Sequence, residues 1–147
     1  METIHVKFYR MDKDVKLPTK AHPWDACWDI YANAKMVIQN RETILVPTGF
    51  KVGLLPGWEL QIRPRSGLAA KYGLTVLNSP GTIDAGYRGE VMVVLHNTSR
   101  PFMFQKGFKI AQMALKPIYE MKILEVESEA LLGDTKRGSG GFGSTGE

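Results

Sequence analysis

LTVLNSPGTIDAGYRGEVMVVLHN, running from Leu74 to Asn97, decides how the rest of the 147-residue chain is read. Two strongly apolar segments, Leu74 to Asn78 and Glu90 to Asn97, bracket a run of turn formers, which is the pattern of paired strands. Similar short segments rich in β-branched and aromatic residues occur at Ile4 to Tyr9, Thr43 to Val46, Phe50 to Leu54, Glu59 to Arg63, Ile110 to Pro117 and Met121 to Val126. Pro47, Gly49, Pro56-Gly57, Pro80-Gly81 and Pro101 punctuate them, and strands so spaced predict an all-β sandwich or barrel of antiparallel hairpins. One helix interrupts the pattern: Ser66 to Tyr72 contains good helix formers and is closed by Gly73. Glu127 to Leu132, just before Gly133, reads either as a second short helix or as a loop.

From Gly133 onward no core-forming pattern remains. Gly138 to Glu147 holds five glycines and a single large side chain, Phe142. Glycine loses more backbone freedom on ordering than any other residue, so this stretch is expected to move until a ligand or a neighbouring chain fixes it. The division is therefore a β domain over residues 1–133 and a mobile Gly-rich arm over 134–147.

Composition narrows the function. A net charge of +4 and a pI near 9.2 suit a small anionic ligand but are too weak for wrapping nucleic acid. One cysteine, Cys27, precludes an internal disulfide, and no charged leader precedes an apolar stretch, so a reducing interior such as the cytoplasm is expected, with nucleus or virus-infected cell left open. The longest apolar runs fall far short of the roughly 20 residues that cross a bilayer, so no membrane partner is expected. His5, His22 and His96 share no metal-ligand spacing.

Three groups of residues carry possible chemistry. Asp84 lies between Ile83 and Tyr87 in the hairpin, where flanking side chains would shield a carboxylate able to orient water; an isolated Asp near Gly more often only bonds its own turn. Arg65 and Ser66 open the short helix, where unpaired backbone N–H groups favour an anion, although serine there is often no more than an N-cap. Arg137 and the glycines around Phe142 offer charge, close backbone approach and one aromatic ring for stacking. Asp29, among apolar neighbours near a strand, needs a partner, and a structural arginine is the plainest one. Cys27 reads as a core residue rather than a nucleophile.

Together these segments resemble the homotrimeric all-β dUTPase family, whose five motifs appear in order. Ala26-Cys27-Trp28-Asp29-Ile30 resembles the first and Pro64-Arg65-Ser66-Gly67 the second. Gly81-Thr82-Ile83-Asp84 with Tyr87-Arg88-Gly89-Glu90 resembles the third, Lys109-Ile110-Ala111-Gln112 the fourth, and Arg137 to Gly146 the fifth. The resemblance implies a jelly-roll-like subunit, a homotrimer with shared active sites, and hydrolysis of dUTP to dUMP and pyrophosphate with Mg2+. It implies that Asp84 is the base that readies water against the α-phosphorus. Asn78 with Gly81, Thr82 and Ile83 would meet uracil, and Tyr87 would pack on deoxyribose. Arg65, Ser66, Gly67 and Gln112 would contact phosphates, and Asp29 would reach the metal through water. Arg137, Gly143, Ser144 and Thr145 would close over the triphosphate, with Phe142 stacked on the base. Two residues depart from the family pattern: Cys27 stands where glycine is usual, and Lys109 where arginine is usual, which puts a bidentate contact there in doubt. The rivals are a dCTP deaminase, which shares the fold but uses a glutamate in its hairpin, and a non-catalytic nucleotide-dependent regulator.

Overall fold

The computed structural model describes residues 3–143 and 146. Among them the chain forms strands Lys7–Arg10 (β1), Trp28–Tyr31 (β2), Met36–Ile38 (β3), Thr43–Pro47 (β4), Phe50–Gly53 (β5) and Trp58–Arg63 (β6). Helix Ser66–Tyr72 (α1) follows, then Leu74–Val76 (β7), Gly81–Ile83 (β8), Met92–Asn97 (β9), Phe102–Phe104 (β10) and Lys109–Pro117 (β11). Every pairing is antiparallel, in sheets of order β2-β11-β6-β8, β4-β9-β7, β1-β5 and β10-β3. The result is the expected all-β, jelly-roll-like sandwich with one short helix, and among the described residues the sheets do not close into a barrel.

The core follows from strand alternation. β9 buries Val93, Leu95 and Asn97 and leaves Met92, Val94 and His96 half-buried on its other side. Val46 and Phe50 from β4 and β5, and Leu60 and Ile62 from β6, meet them in one cluster with Ile30 and Ile110. Asn97 is the polar exception at 0% exposure, and its amide is fully used. Its Nδ2 donates to the carbonyls of Ile38 (3.1 Å) and Arg100 (2.8 Å), and its Oδ1 accepts from Ser99 N–H (2.9 Å), fastening β9 to β3 and to the turn before β10. Helix α1 ends where the sequence says it should, because Gly73 takes the left-handed conformation (φ 66°) and its N–H bonds the carbonyls of Leu68 and Ala69.

Several expectations need correction. Ile4 to Tyr9 pairs only over Lys7–Arg10, and Leu74 to Asn78 only over Leu74–Val76. β3, β8 and β10, three residues each, were not foreseen. Glu129–Leu132 forms a 3-10 turn. Met121 to Val126 forms no strand: Met121, Ile123 and Leu124 are 79, 86 and 85% exposed, with no neighbouring strand in the chain to pair with. Tyr119, Leu131 and Leu132 are exposed as well, so an apolar segment leaves the sandwich uncovered.

Candidate active site

One group of functional side chains gathers where β2, β11 and the end of β6 meet. In register, Asp29 faces Gln112, and Gln112 faces Arg63. Asp29 is nearly buried, with a side-chain exposure of 13%, and both its oxygens are occupied: Arg65 Nε lies 3.1 Å from Oδ1 and Lys109 Nζ 2.7 Å from Oδ2. The plain expectation of an arginine partner is therefore what the chain contains, with a second cation added. The hydrogen bond to Asp29, and then its charge, hold the Lys109 ammonium above the ordinary lysine range. Gln112 Nε2 donates to the Pro64 carbonyl (3.0 Å), which pins the turn leading into α1.

Arg65, Ser66, Gly67 and Gln112 line a cleft of about 600 Å³ beside Asp29. Ser66 does not cap the helix: Arg65 occupies the cap position with extended backbone, and no side chain bonds the first turn. Lys71 and Cys27 line the same cleft. Sequence reasoning missed Lys71, although its place four residues after Gly67 on a helix was the available signal. Cys27 is half-buried at the cleft wall rather than a core residue.

The second group lies on the hairpin after β8. Asp84 is exposed, and its backbone carbonyl accepts from Tyr87 N–H (3.1 Å), closing the turn. No hydrogen bond or ion pair engages its carboxylate among the described residues, whereas the groups around it are committed. Tyr87 Oη donates to the Glu90 carbonyl (2.8 Å), Arg88 donates to the Ala85 and Tyr87 carbonyls, and a Glu90 carboxylate oxygen accepts from Gly49 N–H (2.8 Å). Thr82, Ile83, Asp84 and Tyr87 share a small cleft of about 170 Å³. Gly81 is buried with the Asn78 amide against it, since a Cβ there would sit 3.2 Å from Nδ2. Gly89, which no motif reasoning singled out, matters for its lack of a side chain, because a Cβ would fall 2.6 Å from Tyr87 Cζ.

The two groups do not meet within one chain. Ile83 faces Leu60 and Gln112 faces Arg63, so Asp84 lies four residues along and two strands across from Gln112, about 16 Å at ordinary strand spacings. The Arg137 side chain bonds only the Gly140 carbonyl (2.8 Å) among the described residues, and Phe142 is fully exposed. Gly143 ends the described run, and the expected roles of Ser144 and Thr145 lie outside the described residues.

A sandwich with a cleft presenting Arg65, Ser66 and Lys71 beside Asp25 and Asp29 at one place, and an uncommitted carboxylate turn at another, defines a class: small jelly-roll proteins with side chains suited to a phosphorylated ligand. The chain belongs to the dUTPase family, whose model matches residues 13–146. It is 50% identical over 138 residues to the deoxyuridine 5'-triphosphate nucleotidohydrolase of Clostridium kluyveri, covering 93% of this chain and 94% of that one. It is 48% identical over 143 residues to the enzyme of the same name from Clostridium tetani, covering 97% of each. Among solved structures it superposes on the Staphylococcus bacteriophage 80alpha dUTPase with dUpNHpp at a TM-score of 0.89 and 24% identity, over 99% of this chain and 100% of that one. It also superposes on a dUTPase from phage phi11 of S. aureus, described with a structural Mg(II) ion, at 0.79 and 21%, over 86 and 99%.

Proposed function

We propose that the protein hydrolyses dUTP to dUMP and pyrophosphate, in sites that different copies of the chain complete for one another. Family membership and relatives named for this activity support the reaction. The observation that carries its chemistry is the free carboxylate of Asp84, the one uncommitted acid in a turn whose other polar groups are tied down. Asp84 accepts a proton from water as the water oxygen bonds the α-phosphorus; the bond from that phosphorus to the bridging oxygen breaks, and pyrophosphate leaves. Arg65, Ser66, Gly67 and Gln112 hold the phosphates in line, and this positioning is most of what such a transfer requires. Asn78, Gly81, Thr82 and Ile83 present the turn that meets uracil, and the Tyr87 ring, fixed by its bond to Glu90, packs where a 2′-hydroxyl would clash.

The cofactor is Mg2+ carried on the substrate. Among the described residues no group of three or more His, Cys, Asp or Glu side chains is placed to hold a metal, and the ion would be ligated mainly by phosphate and water. When bound it offsets triphosphate charge and fixes its shape. Asp29, already doubly paired, would reach it only through water.

A backbone separation of about 16 Å between Asp84 and Gln112 is long for adjacent phosphates of one nucleotide, which supports a site in which the hairpin of one copy faces the cleft of another. The exposed segment from Tyr119 to Leu132 supports assembly, since its apolar side chains have no cover in a single chain. A homotrimer follows the family pattern, with residues 1–133 as its body and 134–147 as an arm. Arg137, Gly143, Ser144 and Thr145 of the arm close over the triphosphate and Phe142 over the base. No helix among the described residues is long and apolar enough to cross a membrane.

Pyrophosphate release is measured with dUTP, dTTP, UTP and dCTP, with and without Mg2+. Release confined to dUTP and dependent on the metal is expected; ammonia from dCTP, or an inert protein, overturns the assignment. Asp84→Asn and Arg65→Ala chains, each inactive alone, are then unfolded together and refolded. About a quarter of randomly assembled sites combine an intact hairpin with an intact cleft, and a mixture that stays dead rules out shared sites.

A further inference from the structure

We propose that Lys109 is a positioning residue for the triphosphate, holding the Asp29 carboxylate that in turn holds Arg65 in the cleft. This rests on the cleft being the phosphate site. The pairing of β11 with β2 runs Lys109 to Tyr31, then Ala111 to Ile30 and Gln112 to Asp29, so Ile110 is an extra residue, a β-bulge. In an unbroken strand, residues three apart point to opposite faces, which would send Lys109 away from Gln112. Here the consecutive residues Ile110 and Ala111 both turn into the core, at 1 and 0% exposure, and Lys109 and Gln112 emerge on the same face as Asp29.

The bulge divides the carboxylate between two cations. Lys109 takes Oδ2 and Arg65 takes Oδ1 through Nε, while Arg65 Nη1 also donates to the Lys109 carbonyl at 3.3 Å. Arg65 is thus held at two of its three nitrogens, Nε by Asp29 and Nη1 by the bulged backbone, and its Nη2 has no hydrogen bond among the described residues. Its two N–H groups are left to meet phosphate oxygens. The raised affinity of Lys109 for its proton agrees with an ammonium committed to Asp29.

The alternative is that Lys109 binds phosphate itself, and a double-mutant cycle on the full chain separates the two. Lys109→Met, Lys109→Arg, Arg65→Ala and the Lys109→Met/Arg65→Ala pair are compared for dUTP turnover, affinity for dUpNHpp and Tm. Lys109→Met is expected to lower kcat/KM roughly 10- to 100-fold, the scale of a misplaced positioning group. Its Tm should stay within a few degrees of the parent, and Lys109→Arg should recover most of the loss. In the Arg65→Ala background, Lys109→Met should change analogue affinity by less than about twofold. An undiminished effect in that background, parental turnover in Lys109→Met, or no recovery with arginine each overturns the proposal. If Lys109→Met does not fold, Lys109→Gln, which keeps length and polarity, takes its place in the same cycle. A parent protein that leaves dUTP intact refutes the assigned reaction instead, so the two failures are distinct.

Discussion

Replacing Gly89 by alanine tests whether the tyrosine ring, and not merely its presence, sets sugar selectivity. A Cβ at residue 89 would fall 2.6 Å from Tyr87 Cζ and closer still to Oη. Carbon atoms rest about 3.5 to 4.0 Å apart, so the ring must retreat by about 1 Å. The neighbour is a ring held by its hydroxyl bond to the Glu90 carbonyl at 2.8 Å, and such a shift carries that bond beyond useful length. One lost hydrogen bond costs about 0.5 to 1.5 kcal/mol, which lowers Tm by about 1 to 6 °C in a domain of this size. The functional effect should exceed this, because a displaced ring no longer closes the space against a 2′-hydroxyl. We expect the ratio of kcat/KM for dUTP over UTP to fall about tenfold, equivalent to about 1.4 kcal/mol of discrimination. Pyrophosphate release from both nucleotides under identical conditions measures the ratio. An unchanged ratio, with Tm lowered as expected, would refute the assignment of selectivity to the position of Tyr87.

Asp84→Asn keeps the shape of the turn and discards the base, so it should bind dUpNHpp normally and lose about 10² to 10⁴ in turnover; a turnover close to the parent's excludes Asp84 as base. A chain ending at Gly133 should keep its assembly by size-exclusion chromatography yet lose most activity, and disassembly would contradict the division into body and arm. Asn97→Ala removes three hydrogen bonds at a fully buried position and should cost about 3 kcal/mol, read as a large fall in Tm without a change in KM. Asp14 is held below its ordinary range by its hydrogen bond with Lys106 and then by that charge. Its contribution is therefore complete above the ordinary carboxylate pKa and lost as pH falls through the lowered value; both side chains are exposed, so Lys106→Ala should move the acid unfolding midpoint only slightly.

The hairpin was legible because its signals are local. Turn formers between apolar strands fix where Asp84 sits, and Gly73 marks the helix end by conformation alone. β3 and β10 escaped notice because Met36–Ile38 and Phe102–Phe104 are too short to display alternation, and they exist only by pairing with each other. Gly81–Ile83 reads as turn in sequence and becomes strand because β6 offers it an edge. Met121 to Val126 erred in the opposite direction. Its composition describes a half-buried pleated surface, which is what β-propensity measures, but the chain supplies no strand beside it. The arginine partner of Asp29 was legible from its burial, but the second pairing, with Lys109, was not, since nothing in Lys109-Ile110-Ala111-Gln112 announces the bulge that turns Lys109 toward it.

The same two features that look like defects in one chain explain each other. A sandwich that leaves Tyr119, Ile123 and Leu124 in water gives up hydrophobic stabilisation that the proposed assembly would recover. In the proposed reaction, a carboxylate turn whose backbone lies about 16 Å from Gln112 would be inert until another copy supplied the missing half. If one association event meets both needs, the folded single chain has no complete site, and water activated by Asp84 has no triphosphate to attack before the subunits meet. Assembly then controls activity through geometry alone, with no conformational change required in the core. The proposed arm fits this arrangement: among the described residues the Arg137 side chain bonds only the Gly140 carbonyl and Phe142 is fully exposed, and a Gly-rich segment could close over a site only after neighbours had built one.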